Sequence, residues 1–214
     1  MYIPNKFSQT DNQKLEAMIN DHPLATLVSF NNDGCEAEHL PLMLTHQNDK
    51  VFLHGHIAKA NPLWKSIESN TDVLVIFHGP NSYISPNYYP SKQQNGRAVP
   101  TWNYAVVHVK GVISFIHEAD WKLSMLNDLT DKHELPQGNP WKVADAPSGY
   151  IESMLPAIVG VAIEVKSMIG KWKVSQNQSK ENQQGVGLHL AQENTDNSVQ
   201  VAHLVNEHLT ADFS

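Results

Sequence analysis

Between His54 and Pro62 the chain reads His-Gly-His-Ile-Ala-Lys-Ala-Asn-Pro, a run that joins four devices suited to an anion. A β-rich run ends there, Gly55 permits close approach, and Lys59 supplies a mobile point charge. Asn61 and Pro62 then supply an N-cap and an N1 proline for a helix through residues 63–69, whose free N–H groups and dipole favour a phosphate. By spacing alone the same residues describe, somewhat better, an ordinary strand-to-helix corner with a solvated lysine. His54 and His56, two apart, share one face of a strand and are metal-ligand types, but no third ligand is identifiable, so no metal site is assigned. Two further stretches carry chemical character. Trp102, Asn103 and Tyr104 open a strand with two aromatics and an amide, a set able to flank a planar ring and bind its polar edge, and equally able to pack in a core or an interface. Lys171 to Asn177 closes another strand, where alternation puts Lys171, Lys173 and Ser175 on one face and Trp172 and Val174 on the other, beside Gln176; a solvated edge strand looks the same.

The elements that must position these residues are mostly strands. After an extended start, Asp11 caps a short helix whose Leu15, Met18 and Ile19 recur at helical spacing before His22-Pro23 ends it. Runs at 24–31 and 36–44 flank Asn32-Asp33-Gly34 and read as an antiparallel hairpin with positive φ at the glycine. Residues 46–50 are polar turn material, and strands follow at 51–57 and 72–79. A loop over 81–97, begun by a short strand, leads to a long strand at 99–116. Residues 118–134 read as a helix with Trp121, Met125 and Leu129 on its core face; a short helix near 150–155, a strand over 158–174 and a helix-prone tail from Ser179 complete the chain. Six or so antiparallel strands with inserted helices predict a mainly β fold with helices (α+β), a closed or split β-barrel rather than a parallel α/β sheet.

Composition narrows the function. The chain of 214 residues has a net charge of −7 and one arginine, Arg97, against fourteen lysines, a poor endowment for gripping duplex DNA. Twelve histidines make its charge sensitive to pH between about 5 and 8. No apolar run approaches the roughly 20 residues of a membrane span, and the N-terminal MYIPNKFSQT has neither a basic nor an apolar signal region, so the cytoplasm is the expected address. With Cys35 as the only cysteine there is no internal disulfide. The serine-hydrolase elbow, the zinc-protease helix motif and the Walker loop are all missing, and Gly185-Val186-Gly187 lacks the strand and third glycine of a dinucleotide site.

The blocks MYIPNKF (1–7), HLPL (39–42), LHGHIAKANPLW (53–64), VLVIFHGPNSYISPNYY (73–89), VPTWNYAVVHVKG (99–111) and GKWKVSQNQ (170–178) together resemble the PaiB family, described as FMN-binding negative transcriptional regulators. The resemblance runs to about residue 187. It implies an antiparallel FMN-binding split barrel over 1–187 with a C-terminal helical extension over 188–214, and a homodimer holding two flavin sites across its interface. It places the strand around His39, Leu40 and Pro41 near the flavin ring, and His54, His56, Lys59, Ala60 and Asn61 at the phosphate end. Trp102, Asn103, Lys173, Ser175 and Gln176 would close the site, with the partner chain as their candidate source. Members often carry arginine where this chain has Lys59 and Gln178. Two other functions stay open: a flavin-dependent oxidoreductase of the pyridoxamine phosphate oxidase or flavin reductase type, and a haem-binding or haem-degrading split-barrel protein. DNA is a partner by family description, and direct binding is not expected from the charge.

Overall fold

The computed structural model describes residues 1–31 and 34–211. Its strands are β1 (Ser8–Gln9), β2 (Leu24–Asn31), β3 (Gly34–Pro41), β4 (Met43–Gln47), β5 (Lys50–Ala58), β6 (Thr71–Ile84), β7 (Thr101–Ile116) and β8 (Ile158–Lys173). Its helices are α1 (Asn12–Asp21), α2 (Leu63–Ser66), α3 (Lys92–Asn95), α4 (Ala119–Glu134), α5 (Tyr150–Met154), α6 (Lys180–Glu193) and α7 (Asp196–Ala211). The eight strands form one sheet in the order β3-β2-β6-β7-β8-β5-β4, with β1 paired to β8. None of the described helices is long and apolar enough to cross a membrane.

Local chemistry explains most boundaries. The Asp11 carboxylate accepts the Gln13 N–H at 2.9 Å and caps α1, whose Leu15, Met18 and Ile19 are buried. β2 and β3 pair antiparallel from Leu24↔Pro41 to Asn31↔Gly34, as the hairpin reading requires. Gly34 has a φ of +126°, and the Asn32-Asp33 part of the turn lies outside the described residues. The run at 36–44 is two strands rather than one. Leu42 donates its N–H to Pro23 O at 2.9 Å, so the ladder breaks between β3 and β4. Residues 46–50 are more ordered than turn material: His46 and Gln47 pair with Val51 and Lys50, and Asn48 and Asp49 turn the chain with φ of 47° and 63°. Two successive positive φ values are the signature of a tight hairpin.

Two differences matter for the site. β6 runs unbroken through Gly79 and Pro80 to Ile84, where the sequence suggests a stop near 79 and a separate short strand. The helix expected over 63–69 is a single turn, α2, closed by Ile67 in an extended conformation.

By chain contacts the protein forms two compact units. One contains residues 1–18, 78–107 and everything from 169 on; the other contains 19–77 and 108–168. In the first, α6 and α7 pack on each other and on Ile84, Tyr89 and Val174 through Val186, Leu190, Val201 and Val205. Ser179 caps α6 by accepting the Asn182 N–H, and residue 187, the end of the region of resemblance, falls inside this helix. In the second unit the Met125-Leu129 stripe of α4 covers Met43, with Trp121 and Leu126 at its margin, which is the core role its four-residue spacing suggests.

Candidate functional site

The corner after β5 is built by pairing. Met43, His54 and Ala162 lie opposite one another in β4, β5 and β8, so His54 sits mid-sheet under α4. Its Nδ1 lies 3.3 Å from Thr45 Oγ1 and its ring meets Trp121 edge-on, with centroids 5.1 Å apart. Burial holds the His54 imidazole below the usual histidine range, with Asp128 pulling weakly the other way. His56 pairs with Gly160, where a Cβ would lie 2.5 Å from Trp121 Cζ3; that glycine makes room for the indole. Burial lowers the His56 pKa as well, and its Nδ1 is enclosed without a hydrogen-bond partner among the described residues. Gly55 permits close approach, as the sequence suggests, but the approaching group is the protein's own: a Cβ there would stand 2.6 Å from Pro41 O.

Lys59 follows. Its N–H donates to Ala157 O at 2.8 Å and its carbonyl accepts the Trp64 indole N–H at 3.0 Å, so the peptide is gripped on both sides. The ammonium has no hydrogen-bond or ion-pair partner among the described residues. Asn61 behaves as the cap that its position implies, its side chain accepting the Leu63 N–H at 2.8 Å, while its own N–H donates to Ala58 O at 2.9 Å. Three N–H groups of this corner are therefore already satisfied, and α2 is one turn long. The anion-binding capacity shifts from the backbone and helix dipole of the sequence reading to the Lys59 side chain, with Ala60 in the turn beside it. On β3, His39 is exposed with its Nδ1 3.2 Å from Thr26 Oγ1, whereas Leu40 is buried opposite Ala25 and Pro41 is partly buried.

The second group of residues lies in the other unit. Asn103 is 1% exposed; its Nδ2 donates to Ser175 Oγ at 2.8 Å and its Oδ1 has no partner among the described residues. Ser175 is also buried and holds a φ of +68°, left-handed backbone that costs a serine strain of order 1–3 kcal/mol. This turn ends the alternation expected along 171–175, so Val174 and Ser175 are both buried. Lys173 donates to Thr101 Oγ1 at 2.5 Å and to Trp102 O, and burial, then the nearby Lys171, pushes its pKa down. Gln176 is engaged at both ends of its amide, accepting the Val174 N–H at 2.7 Å and donating to Trp172 O at 2.5 Å, so it holds the turn. Trp102 is 55% exposed on the face opposite Asn103 and meets Tyr83 edge-on. Trp64, Trp121, Thr101 and Ala157 are supporting residues that spacing does not reveal, because each acts across the sheet or from a distant turn.

Each unit thus carries a group able to meet a phosphorylated planar cofactor: in one the Lys59 ammonium, a cation suited to a phosphate, and in the other the buried Asn103 Oδ1, an acceptor without a partner among the described residues. Residues 1–167 match the family model described as "Putative FMN-binding domain". Over 209 residues the chain is 33% identical to the protease synthase and sporulation protein PAI 2 of Bacillus subtilis, covering 98% of each. The chain belongs to the PaiB family of FMN-binding-domain proteins. Among solved structures, an FAD and heme binding protein from Mycobacterium smegmatis superposes with a TM-score of 0.57 at 16% identity, over 78% of this chain and 73% of that one. The flavocytochrome Anf3 from Azotobacter vinelandii gives 0.52 at 16% identity, over 78% and 69%. At that identity they show the fold alone, and the fold of this PaiB relative is the antiparallel split β-barrel with appended C-terminal helices.

Proposed function

We propose that this PaiB-family protein is a cytoplasmic, homodimeric FMN-binding protein whose regulatory role, as a negative regulator of transcription, is exerted through flavin state or a protein partner rather than by its own grip on DNA. The carrying observation is Lys59, an unpartnered ammonium on a peptide held at both its N–H and its carbonyl. An FMN phosphate carries roughly −1.5 to −2 charges, which this cation meets as a mobile point charge anchored on a fixed peptide. His54, His56, Ala60 and Asn61 shape the corner around it, and the strand at His39, Leu40 and Pro41 runs along the ring. Asn103, with Ser175 behind it, offers its Oδ1 to the ring's polar edge, and Lys173 and Gln176 hold this wall, contributed by the partner chain; Trp102, on the other face of the strand, closes the site at its rim. Bound FMN supplies reversible hydride and electron chemistry. The exposed free thiol of Cys35 suits a reducing compartment.

A flavin absorption spectrum of the purified protein, followed by FMN titration, tests the reading. Lys59→Ala is expected to weaken FMN by about 1–3 kcal/mol, as for loss of a charge-assisted hydrogen bond. Unchanged affinity sinks the phosphate assignment, and a Soret band in place of flavin absorption moves the cofactor to haem.

A further inference from the structure

A cavity of about 420 Å³ opens beside Lys59, within the range of small-molecule sites. Lys59 and His117 stand on its lining with the carboxylates of Asp120 and Glu152, and Leu123, Leu155, Pro156 and Ile158 give it apolar walls. Lys122 also lines it, but that ammonium is buried and bonded to Leu155 O at 2.7 Å and Ile158 O at 3.3 Å, so it stiffens the wall. Lys59, Asp120 and Glu152 share one concavity, and among the described residues no ion pair joins them and none has a side-chain partner elsewhere. A lysine and two carboxylates on one apolar-walled concavity are complementary to a molecule that carries both signs of charge beside an apolar body.

We propose that this cavity binds a small zwitterion with an apolar side chain, of the α-amino acid class. The carboxylate meets Lys59, with His117 beside it; the ammonium meets Asp120 and Glu152; the side chain lies against Leu123, Leu155 and Ile158. The inference shares Lys59 with the FMN reading, so the two occupants exclude each other at that cation and their affinities are reciprocally linked.

The test is calorimetric titration of the purified full-length protein with L-phenylalanine, 3-phenylpropionate, which lacks the amine, and 2-phenylethylamine, which lacks the carboxylate. Phenylalanine is expected to saturate one site per chain with a Kd of about 1 mM or tighter, each half-probe binding at least about tenfold more weakly. Glu152→Gln and Asp120→Asn, near-isosteric changes at exposed positions whose fold is checked by circular dichroism, are expected to reduce phenylalanine binding about tenfold without weakening 3-phenylpropionate. No saturation by about 10 mM, equal binding of a half-probe, or phenylalanine affinity indifferent to both variants overturns the proposal. Flavin content is read from visible absorption in the same samples, so a protein that fails to retain FMN and a protein that fails to bind phenylalanine give different results.

Discussion

At Lys59 the peptide is fixed and the side chain is free, an arrangement that neither spacing nor residue type discloses. The sequence shows the lysine and the Asn61 cap; the Ala157 carbonyl that holds its N–H comes from nearly a hundred positions away. The buried histidines lead to a pH dependence. His54 and His56 have folded pKa values below the ordinary value of about 6.5, so below that pH the unfolded chain binds more protons than the folded one. Their contribution is fully present above about 6.5 and is lost as pH falls toward the folded values. Urea unfolding followed from about pH 8 to pH 5 is expected to show a midpoint falling below about pH 6.5, and His54→Leu is expected to flatten that fall. An equally steep fall in the variant would assign the loss to other groups, such as His22, whose pKa burial also lowers.

Among elements, α6 carries the plainest steric requirement. A Cβ on Gly185 would stand 2.2 Å from Tyr88 O, a backbone atom, and 2.8 Å from Pro90 Cδ, so the loop after β6 has no room to yield. Gly185→Ala gains about 1 kcal/mol of helix propensity and is expected still to be destabilising by about 1–3 kcal/mol net of it, seen as a lower urea midpoint at unchanged slope. Gly138→Ala, where a Cβ meets nothing within 4 Å, is the control, expected within about 0.5 kcal/mol of the parent. The four-residue spacing of Trp121, Met125 and Leu129 made α4 legible, the apolar, β-branched run from Ile158 made β8 so, and Asp11 announced its helix by capping; the Ser179 cap of α6 shows only in the structure. The extent of β6 was not, because Gly79-Pro80 is ordinarily punctuation. Among the described residues β2 pairs with β6 only at Leu74 to Ile76, so on that side Pro80 lies beyond the ladder. The glycines at 185 and 187 are uninformative as a motif and are explained by what they touch: Tyr88 and Pro90 in one case, Asn206 in the other.

For the molecule as a whole, charge decides what it can approach. With a net charge of −7 and a C-terminal helix, α7, lacking lysine and arginine, duplex DNA should be repelled unless a local patch compensates. The lysines that could form one are Lys166, Lys171, Lys173 and Lys180: Lys166 is paired with Glu164 at 2.8 Å, whereas Lys171, over the Tyr104 ring and on Tyr2 O, and Lys173, on Thr101 Oγ1, keep their charge on neutral partners. Anisotropy titration at physiological salt is expected to show no sub-micromolar, sequence-selective binding by the protein alone. Light scattering is expected to give about twice the 23.9 kDa chain mass, with the exposed Tyr83, Trp102 and Val99 surface shielded in the dimer. The spread of fourteen lysines over the chain has one more consequence, which turns on Lys122 and the two carbonyls it grips. An amine-acylating reagent meets the other lysines at rates set by their exposure, but Lys122 reacts only when its bonds to Leu155 O and Ile158 O open. Its acylation, resolved by peptide mass spectrometry, is expected to lag all the others, and the lag relative to a free lysine is a clock for how often that part of the protein breathes open.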